Sequence, residues 1–288
     1  MSRLAANGGF GRATRQAVSR RQDGFTLIEV AIGLMILGLI TVGIISTLSQ
    51  QAEQRRHAQT RQLLGQARDA LLAFVSVNGR LPCPAVAASS GQEAIASGAG
   101  GLVVCVAESG LLPAVSLGMT GLDPGGWLTN AWRDSGNAAA TLPRTFRYAV
   151  TSLAAPLSSA LTSPRLGADA AAAATRRLDV QSMFEAGQGL FVCASVTGTG
   201  AGMNRCGTPA NLLASSAAAV VWTLGANGND AALFSADEQQ NFSLSLPRTF
   251  ISRVNAPAGA QGGMFDDLVT WLPYSAVADR LASMGFLP

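Results

Sequence analysis

The chain has no lysine and a single histidine, His57, and only 13% of its 288 residues are charged. It also lacks the G-x-S-x-G, H-E-x-x-H and phosphate-loop patterns of common hydrolases, metalloproteases and nucleotide-binding enzymes. The glycine cluster at 198–202 has neither the lysine nor the following helix of a nucleotide site. We therefore predict that the protein is not an enzyme and that His57 has a surface or packing role.

Positive charge is scarce outside the N-terminus. The formal net charge is +3, but residues 1–24 hold five arginines against one acid, which leaves 15 arginines against 16 acids in the remainder. A nucleic-acid-binding surface needs positive charge clustered on the folded part of the chain. No nucleic acid is therefore expected among the partners.

A long apolar run follows this basic leader. Residues 25–48 contain one charged side chain, Glu29, and as a helix they extend about 36 Å, enough to cross a bilayer core. A secretory signal peptide would have an apolar core of only about 7–15 residues. We therefore predict a transmembrane helix. The positive-inside rule places its arginine-rich side in the cytoplasm and the rest of the chain on the far side.

The helical pattern continues beyond the apolar run without a proline. Over residues 49–77, apolar side chains recur at three- and four-residue steps, which predicts an amphipathic stem lying against a folded domain. Asn78 and Gly79 are expected to end the helix. The apolar positions of the stem are Leu63, Leu64, Ala67, Leu71, Phe74 and Val75.

The segment from Gly24 to Val30, GFTLIEV, resembles the prepilin cleavage and methylation motif of type IV pilins and type II secretion pseudopilins. The resemblance implies that a prepilin peptidase cleaves between Gly24 and Phe25 and N-methylates Phe25. It also implies that Glu29 neutralises the N-terminal amine of a neighbouring subunit during assembly, since unpaired charges in low dielectric are costly. The alternative is a Glu29 that snorkels to the membrane interface or pairs with its own N-terminus.

The remaining residues, 78–288, contain short apolar runs separated by glycine, proline and serine, which indicate strands. We predict an α+β fold in which the long N-terminal helix packs on a mainly antiparallel sheet, and the resemblance independently implies this pilin-like fold. The predicted organisation is a cleaved leader (1–24), a transmembrane helix (25–48), a stem (49–77) and an extracytoplasmic domain (78–288). The predicted strands lie within 102–106, 145–151, 190–196, 219–224, 249–254 and 268–273.

Two stretches, 85–101 and 155–177, have the composition of loops, and the second has room for a short helix at 169–177. The C-terminal segment predicts a closing helix. Its apolar face consists of Ala276, Val277, Leu281 and Met284.

Four cysteines, Cys83, Cys105, Cys193 and Cys206, lie in the part predicted to be exported, where thiols oxidise. Two disulfides are expected, because the spacings do not match the paired C-x-x-C arrangement of structural zinc sites. Pairing in chain order would close two short loops, each worth about 3 kcal/mol. The other two connectivities remain open.

No cofactor is predicted. Calcium is the one cofactor for which the sequence offers weak candidate ligands. Some pseudopilins bind calcium through carboxylates and backbone carbonyls, a ligand set that suits this hard cation. The weak candidates are Asp230, Asp237 and Glu238, accompanied by Asn227, Asn229, Asp266 and Asp267. Turn formation explains most of these residues without a metal.

The function predicted is a minor pilin or pseudopilin, a structural subunit of a type IV pilus or a type II secretion pseudopilus. Three features depart from many major pilins: the membrane half has no proline, the globular part is bulky, and Cys206 lies far from the C-terminus. The expected partners are a prepilin peptidase, other pilin subunits and the bacterial inner membrane, with the globular domain in the periplasm.

Two alternatives use the same anchor. A recognition module at a fibre tip would bind a surface, DNA or an exported protein, and it would need an exposed aromatic patch or a basic groove. The segment of Trp127 and Trp132 is the one candidate for such a patch, although core positions are expected for both. An exported enzyme would need a convergent polar pocket, for which the sequence offers no motif.

Overall fold

The computed structural model describes Gly24 and residues 26–97, 103–132, 144–151, 189–199, 205–242 and 249–286, with backbone alone at 40–49. Its elements confirm the α+β class. The helices are α1 (Leu27–Asn78), α2 (Ala236–Phe242) and α3 (Tyr274–Ser283). The strands are β1 (Ile95–Ser97), β2 (Val103–Cys105), β3 (Ser109–Leu111), β4 (Arg147–Val150), β5 (Leu190–Cys193), β6 (Leu212–Thr223), β7 (Thr249–Ile251) and β8 (Leu268–Pro273).

The chain divides into two compact units, residues 1–52 and residues 53–288. In the first unit, the described side chains of α1 from Leu27 to Leu39 are solvent-exposed on every face, although nearly all of them are apolar. Such a surface is unusual for a soluble helix, because helices in water bury at least one apolar stripe.

No helix within the described residues is both long and apolar enough to cross a membrane.

The second unit is organised around β6, which has 12 residues. The main sheet has the order β3-β4-β6-β5-β7, and β8 also pairs with β6. All of these pairings are antiparallel except that of β5 with β7. β1 and β2 form a separate antiparallel pair. The predicted antiparallel character of the sheet is therefore confirmed, with one parallel pair as an addition.

The principal hydrophobic core joins one face of α1 to the sheet and to α3. Leu64, Ala67, Leu71 and Val75 follow the helical repeat, and all four are buried in one cluster. Their partners in that cluster include Tyr148 and Val150 of β4, Val221 of β6, Leu272 of β8, and Val277 and Leu281 of α3.

Helix α1 ends at the residue predicted from the sequence. Asn78 is the last residue of α1, and Gly79 follows with a φ of 63°, the left-handed conformation that glycine adopts without strain. A β-carbon at position 79 would also lie 2.8 Å from the ring of Phe286. Gly79 is therefore required both by its backbone and by its neighbour.

Each of the six predicted runs contains a strand, but three details of the prediction are wrong. The stretch 85–101 is predicted to be a loop, but it contains strand β1, whose residues Ile95–Ser97 pair with β2. β6 begins at Leu212, seven residues before the predicted start, because serine and alanine extend it. Met284 lies beyond the end of α3 and is exposed.

The predicted loop at 155–177 and its possible helix lie outside the described residues.

Two disulfides are present, and they settle the connectivity. Cys83 is joined to Cys105, and Cys193 is joined to Cys206. The first ties the segment after α1 to β2, and the second ties the end of β5 to the turn before β6. All four cysteines are buried.

Val75→Ala and Val77→Ala form a matched test of the stem core, since both valines lie near the end of α1. Val75 is fully buried in the core cluster, whereas Val77 is 79% exposed. We expect Val75→Ala to lower the free energy of unfolding by about 2–3 kcal/mol, and Val77→Ala to change it by less than about 0.5 kcal/mol. Urea unfolding of the full chain in detergent measures both. Equal effects would contradict the packing of this helix face.

Candidate functional site

The N-terminal segment places Gly24 and Glu29 on either side of the start of α1. Thr26 precedes the first helical residue, and its side-chain oxygen accepts a hydrogen bond from the Glu29 backbone N–H at 3.4 Å. The Thr26 carbonyl accepts from the backbone N–H groups of Glu29 and Val30 at 3.0 and 3.2 Å. Thr26 is thus the N-cap and Glu29 the third helical residue, the spacing of a capping box.

This position suits a carboxylate electrostatically. The unpaired N–H groups of a helix N-terminus carry a partial positive charge, so an acid in the first turn is favoured there. Within the described part of the chain, the Glu29 carboxylate forms no ion pair with another residue, and the side chain is exposed. It is therefore free to pair with a charge on another molecule.

Gly24 lies before the helix and is exposed, and a β-carbon there would meet no atom within 4 Å. Phe25, the predicted site of methylation, lies outside the described residues. The requirement for glycine at position 24 therefore does not come from packing within this chain.

A second candidate site lies in the interior of the globular unit. One carboxylate oxygen from each of Glu238, Asp266 and Asp267 lies within 4.8 Å of the other two, and all three residues are buried. Glu238 belongs to α2, and the two aspartates immediately precede β8. We call these three residues the carboxylate cluster.

Hydrogen bonds hold the carboxylate cluster in place. Glu238 accepts from the backbone N–H of Asp266 at 2.9 Å, from the backbone N–H of Ser235 at 3.0 Å and from the Asn227 side-chain amide at 3.1 Å. Asp266 accepts from the Asn227 backbone N–H at 3.2 Å. Asp267 accepts from the side-chain amide of Asn241 at 2.9 Å.

These bonds leave three buried oxygens without a hydrogen-bond partner in the described structure: Oδ1 of Asp266, Oδ1 of Asp267 and Oδ1 of Asn227.

Arg147 is the positive group that interacts electrostatically with the cluster, through Asp267. Its guanidinium also donates to the carbonyl of Phe242 and lies over the ring of that residue. Burial lowers the pKa of Arg147 to about 10, and the charge of Asp267 partly opposes this shift. Arg147 therefore compensates the charge of Asp267, while no ion pair among the described residues brings positive charge to Glu238 or Asp266.

Two of the three acids have raised pKa values, and burial is the largest cause of both shifts. Burial raises the pKa of Asp266 to about 6, opposed by the Asn227 backbone N–H and reinforced by the charge of Glu238. Burial also raises the pKa of Asp267 well above its ordinary value, with a hydrogen bond from Asn241 acting against the shift. Without a cation, Asp266 and Asp267 therefore hold protons more tightly than surface carboxylates do.

Of the three acids expected as weak calcium candidates, the structure places only Glu238 in the carboxylate cluster. Asp237 forms an ion pair with Arg253 at 2.8 Å, and it also accepts from the backbone N–H of Val196 at 2.7 Å. Asp230 is exposed and caps a short turn by accepting from the backbone N–H of Ala232. The sequence contains the Asp266–Asp267 pair, but nothing in it shows that these residues meet Glu238.

The two tryptophans occupy core positions, as expected. Trp127 and Trp132 are buried, and the Trp132 indole N–H donates to the Glu53 carboxylate at 2.7 Å. The ring of His57 packs edge-on against Trp132, with centroids 4.7 Å apart. His57 also lies 2.8 Å from the side-chain amide of Asn255. These contacts give His57 a packing role in the stem and leave no exposed aromatic patch at either tryptophan.

Residues 19–45 match the family described as the prokaryotic N-terminal methylation motif, the signature of type IV pilins and pseudopilins. The match includes Gly24, Phe25 and Glu29. No curated protein and no solved structure matches the chain. The motif supports a type IV pilin-like protein, and it implies processing by prepilin peptidase, a membrane-anchored N-terminus and assembly with other pilin subunits.

The raised pKa of Asp266 predicts an unusual dependence of stability on pH in protein kept free of metal with EDTA. The folded carboxyl, with a pKa of about 6, binds its proton more tightly than the unfolded one, whose value is 3.8. Its stabilising contribution is therefore full below the unfolded value and is lost as pH rises through about 6. We expect the free energy of unfolding to fall by about 2–3 kcal/mol between pH 4 and 7.5 from this group.

Urea titrations across this pH range measure the effect. Asp266→Asn cannot titrate at this position and should make the profile shallower, with a residual slope from Asp267, whose pKa is also raised, while Asp279→Asn, at an exposed position of α3, should keep the profile of the unmodified chain. A profile of Asp266→Asn that runs parallel to that of the unmodified chain would assign the pH dependence to other groups.

Proposed function

We propose that this protein is a minor pilin or pseudopilin, a structural subunit of a type IV pilus or a type II secretion pseudopilus. The observation that carries the proposal is the methylation motif at the start of a helix whose described N-terminal side chains are apolar and exposed on all faces. A helix of this kind needs a bilayer or the helices of other subunits around it.

Processing would occur at the Gly24–Phe25 peptide bond. Gly24 precedes the first turn of α1 and is exposed, so the bond next to it is not protected by helical hydrogen bonds. The prepilin peptidase would cleave this bond and transfer a methyl group to the new amine of Phe25. The arginine-rich leader, residues 1–24, would be removed on the cytoplasmic side.

Assembly would use the Glu29 carboxylate. The amine of a processed Phe25 carries a positive charge, and a charge that enters an apolar helix bundle must be paired. Glu29 has no ion pair among the described residues and lies in the first turn of α1. It is therefore placed to receive the amine of a neighbouring subunit, while Leu27, Ile28 and the apolar residues after them pack on the neighbour.

The globular part supports a minor subunit over the repeated subunit of a thin fibre. Residues 53–288 form one compact unit that two disulfides cross-link. Neither disulfide closes a loop at the C-terminus, because the last cysteine is Cys206. The proposed location is the inner membrane, with residues 25–48 spanning it and the globular part in the periplasm. The recognition-module alternative gains no support, since Trp127 and Trp132 are buried.

Processing is tested by two glycine substitutions at equally open positions. A β-carbon at Gly24 or at Gly33 would meet no atom within 4 Å, so neither substitution disturbs packing within the chain. In cells that contain a prepilin peptidase, we expect the unmodified chain and Gly33→Ala to begin at N-methylated Phe25, and Gly24→Val to retain the leader. Intact-mass and peptide mass spectrometry of membrane-extracted protein measures the N-terminus. An unmodified chain that begins at Met1, or is cut near residues 46–52, would overturn the proposal.

Assembly is tested by Glu29→Gln, which keeps the size of the side chain and removes its charge. We expect this variant to be cleaved normally but to enter sheared fibres or pseudopili at less than about a tenth of the normal level, because the neighbouring amine loses its partner. Asp69→Asn, at an exposed position farther along the same helix, is the control and should assemble normally. Immunoblots of fibre and membrane fractions measure both, and normal assembly of Glu29→Gln would remove this role.

A further inference from the structure

We propose that Glu238, Asp266 and Asp267, together with the side-chain oxygen of Asn227, form an interior binding site for a hard divalent cation of the calcium class. The site lies in the globular unit, so the proposal does not depend on the pilin role of the N-terminus. It narrows the candidates of the sequence to these four residues, since Asp230 and Asp237 have other partners.

The spacing of the carboxylate cluster fits such a cation. One oxygen from each of Glu238, Asp266 and Asp267 lies within 4.8 Å of the others. Calcium binds oxygen at about 2.3–2.6 Å, so two of its ligands can be separated by up to about 5 Å. The set contains only oxygen ligands and no histidine or cysteine, which favours calcium or magnesium over zinc or copper.

Asn227 provides an observation independent of the acids. Its side chain is 6% exposed, and its amide N–H donates to Glu238 at 3.1 Å, which directs the side chain into the carboxylate cluster. Its Oδ1 is buried and has no hydrogen-bond partner in the described structure. A buried carbonyl oxygen without a partner is costly, and coordination to a cation would satisfy it.

Unused coordinating capacity is also present on the acids. Oδ1 of Asp266 and Oδ1 of Asp267 are buried and accept no hydrogen bond of normal geometry, although the backbone of Ala226 and Gly225 and the carboxyl group of Glu238 lie close enough to influence the pKa values of the two aspartates. The other oxygen of each aspartate accepts from an asparagine. The hydrogen-bonded oxygens hold the carboxylates in position, and the free ones are available to a ligand. Such an outer set of hydrogen bonds is typical of metal sites, where it orients the coordinating groups.

The charge balance points in the same direction. Arg147 interacts electrostatically with Asp267, and none of the three buried carboxyl groups forms an ion pair with another described residue. A divalent cation would offset the remaining negative charge. It would also cross-link three segments of the chain: the turn after β6, the helix α2 and the residues just before β8.

The test uses the full-length chain in detergent, stripped with EDTA and equilibrated overnight with calcium chloride or magnesium chloride. We expect millimolar calcium to raise the Tm by about 5 °C or more, and magnesium to raise it less. Asp267→Asn should raise the calcium concentration that gives half of the rise in Tm by at least about tenfold, whereas Asp279→Asn should respond like the unmodified chain. A calcium response that is unchanged in folded Asp267→Asn would overturn the proposal.

Terbium luminescence gives a second measurement that does not need the Asp267 variant to fold. Terbium binds calcium sites, and a nearby tryptophan can sensitise its emission. Trp222 is linked to the carboxylate cluster by two hydrogen bonds of Asn241. The Asn241 carbonyl accepts from the Trp222 indole N–H at 2.8 Å, and the Asn241 side-chain amide donates to Asp267 at 2.9 Å. We expect tryptophan-sensitised emission from the unmodified chain, displaced by calcium, and weaker in Asn227→Ala. An unmodified chain with neither emission nor a calcium-induced rise in Tm would show that the cluster holds protons instead of a cation.

Discussion

The burial of one face of the stem on the sheet is the interaction on which the globular unit depends. The cluster around Leu71 and Val75 contains side chains from β4, β6, β8 and α3, so the stem is the element that these four share. Burying four apolar side chains of the stem contributes about 5–10 kcal/mol relative to exposing them, which is comparable to the whole stability of a domain. The disulfides and the polar interior act on a structure that this contact has already defined.

The features that follow a single period along the chain could be predicted from the sequence. The helical repeat of Leu64, Ala67, Leu71 and Val75 identified the buried face of α1, and Asn78 with Gly79 identified its end. The apolar runs identified six of the strands, because valine and aromatic side chains fit the pleated, partly buried surface of a sheet. The methylation motif could also be recognised in the sequence, because Gly24, Phe25 and Glu29 lie close together in the chain.

What could not be predicted depends on contacts between distant parts of the chain. β1 has little strand preference of its own, and it forms because β2 pairs with it next to the Cys83–Cys105 disulfide. The early part of β6 is rich in alanine and serine and becomes a strand because β5 pairs with it. Glu238 and the Asp266–Asp267 pair are likewise brought together by the fold, as α2 and the start of β8 come from different parts of the sequence. Contacts between segments that are distant in sequence leave no local pattern by which they could be predicted.

The two candidate sites show how the environment of an acid determines the kind of partner that it requires. Glu29 is one carboxylate in the first turn of a helix, where the helix N-terminus already supplies part of the compensating charge, so one positive amine is enough. The carboxylate cluster has three acids in the interior, and three buried oxygens of Asp266, Asp267 and the neighbouring Asn227 accept no hydrogen bond of normal geometry within the described residues. A single amine would not reach all of those oxygens, whereas a small divalent cation would. The first arrangement is therefore suited to another protein chain, and the second to an ion.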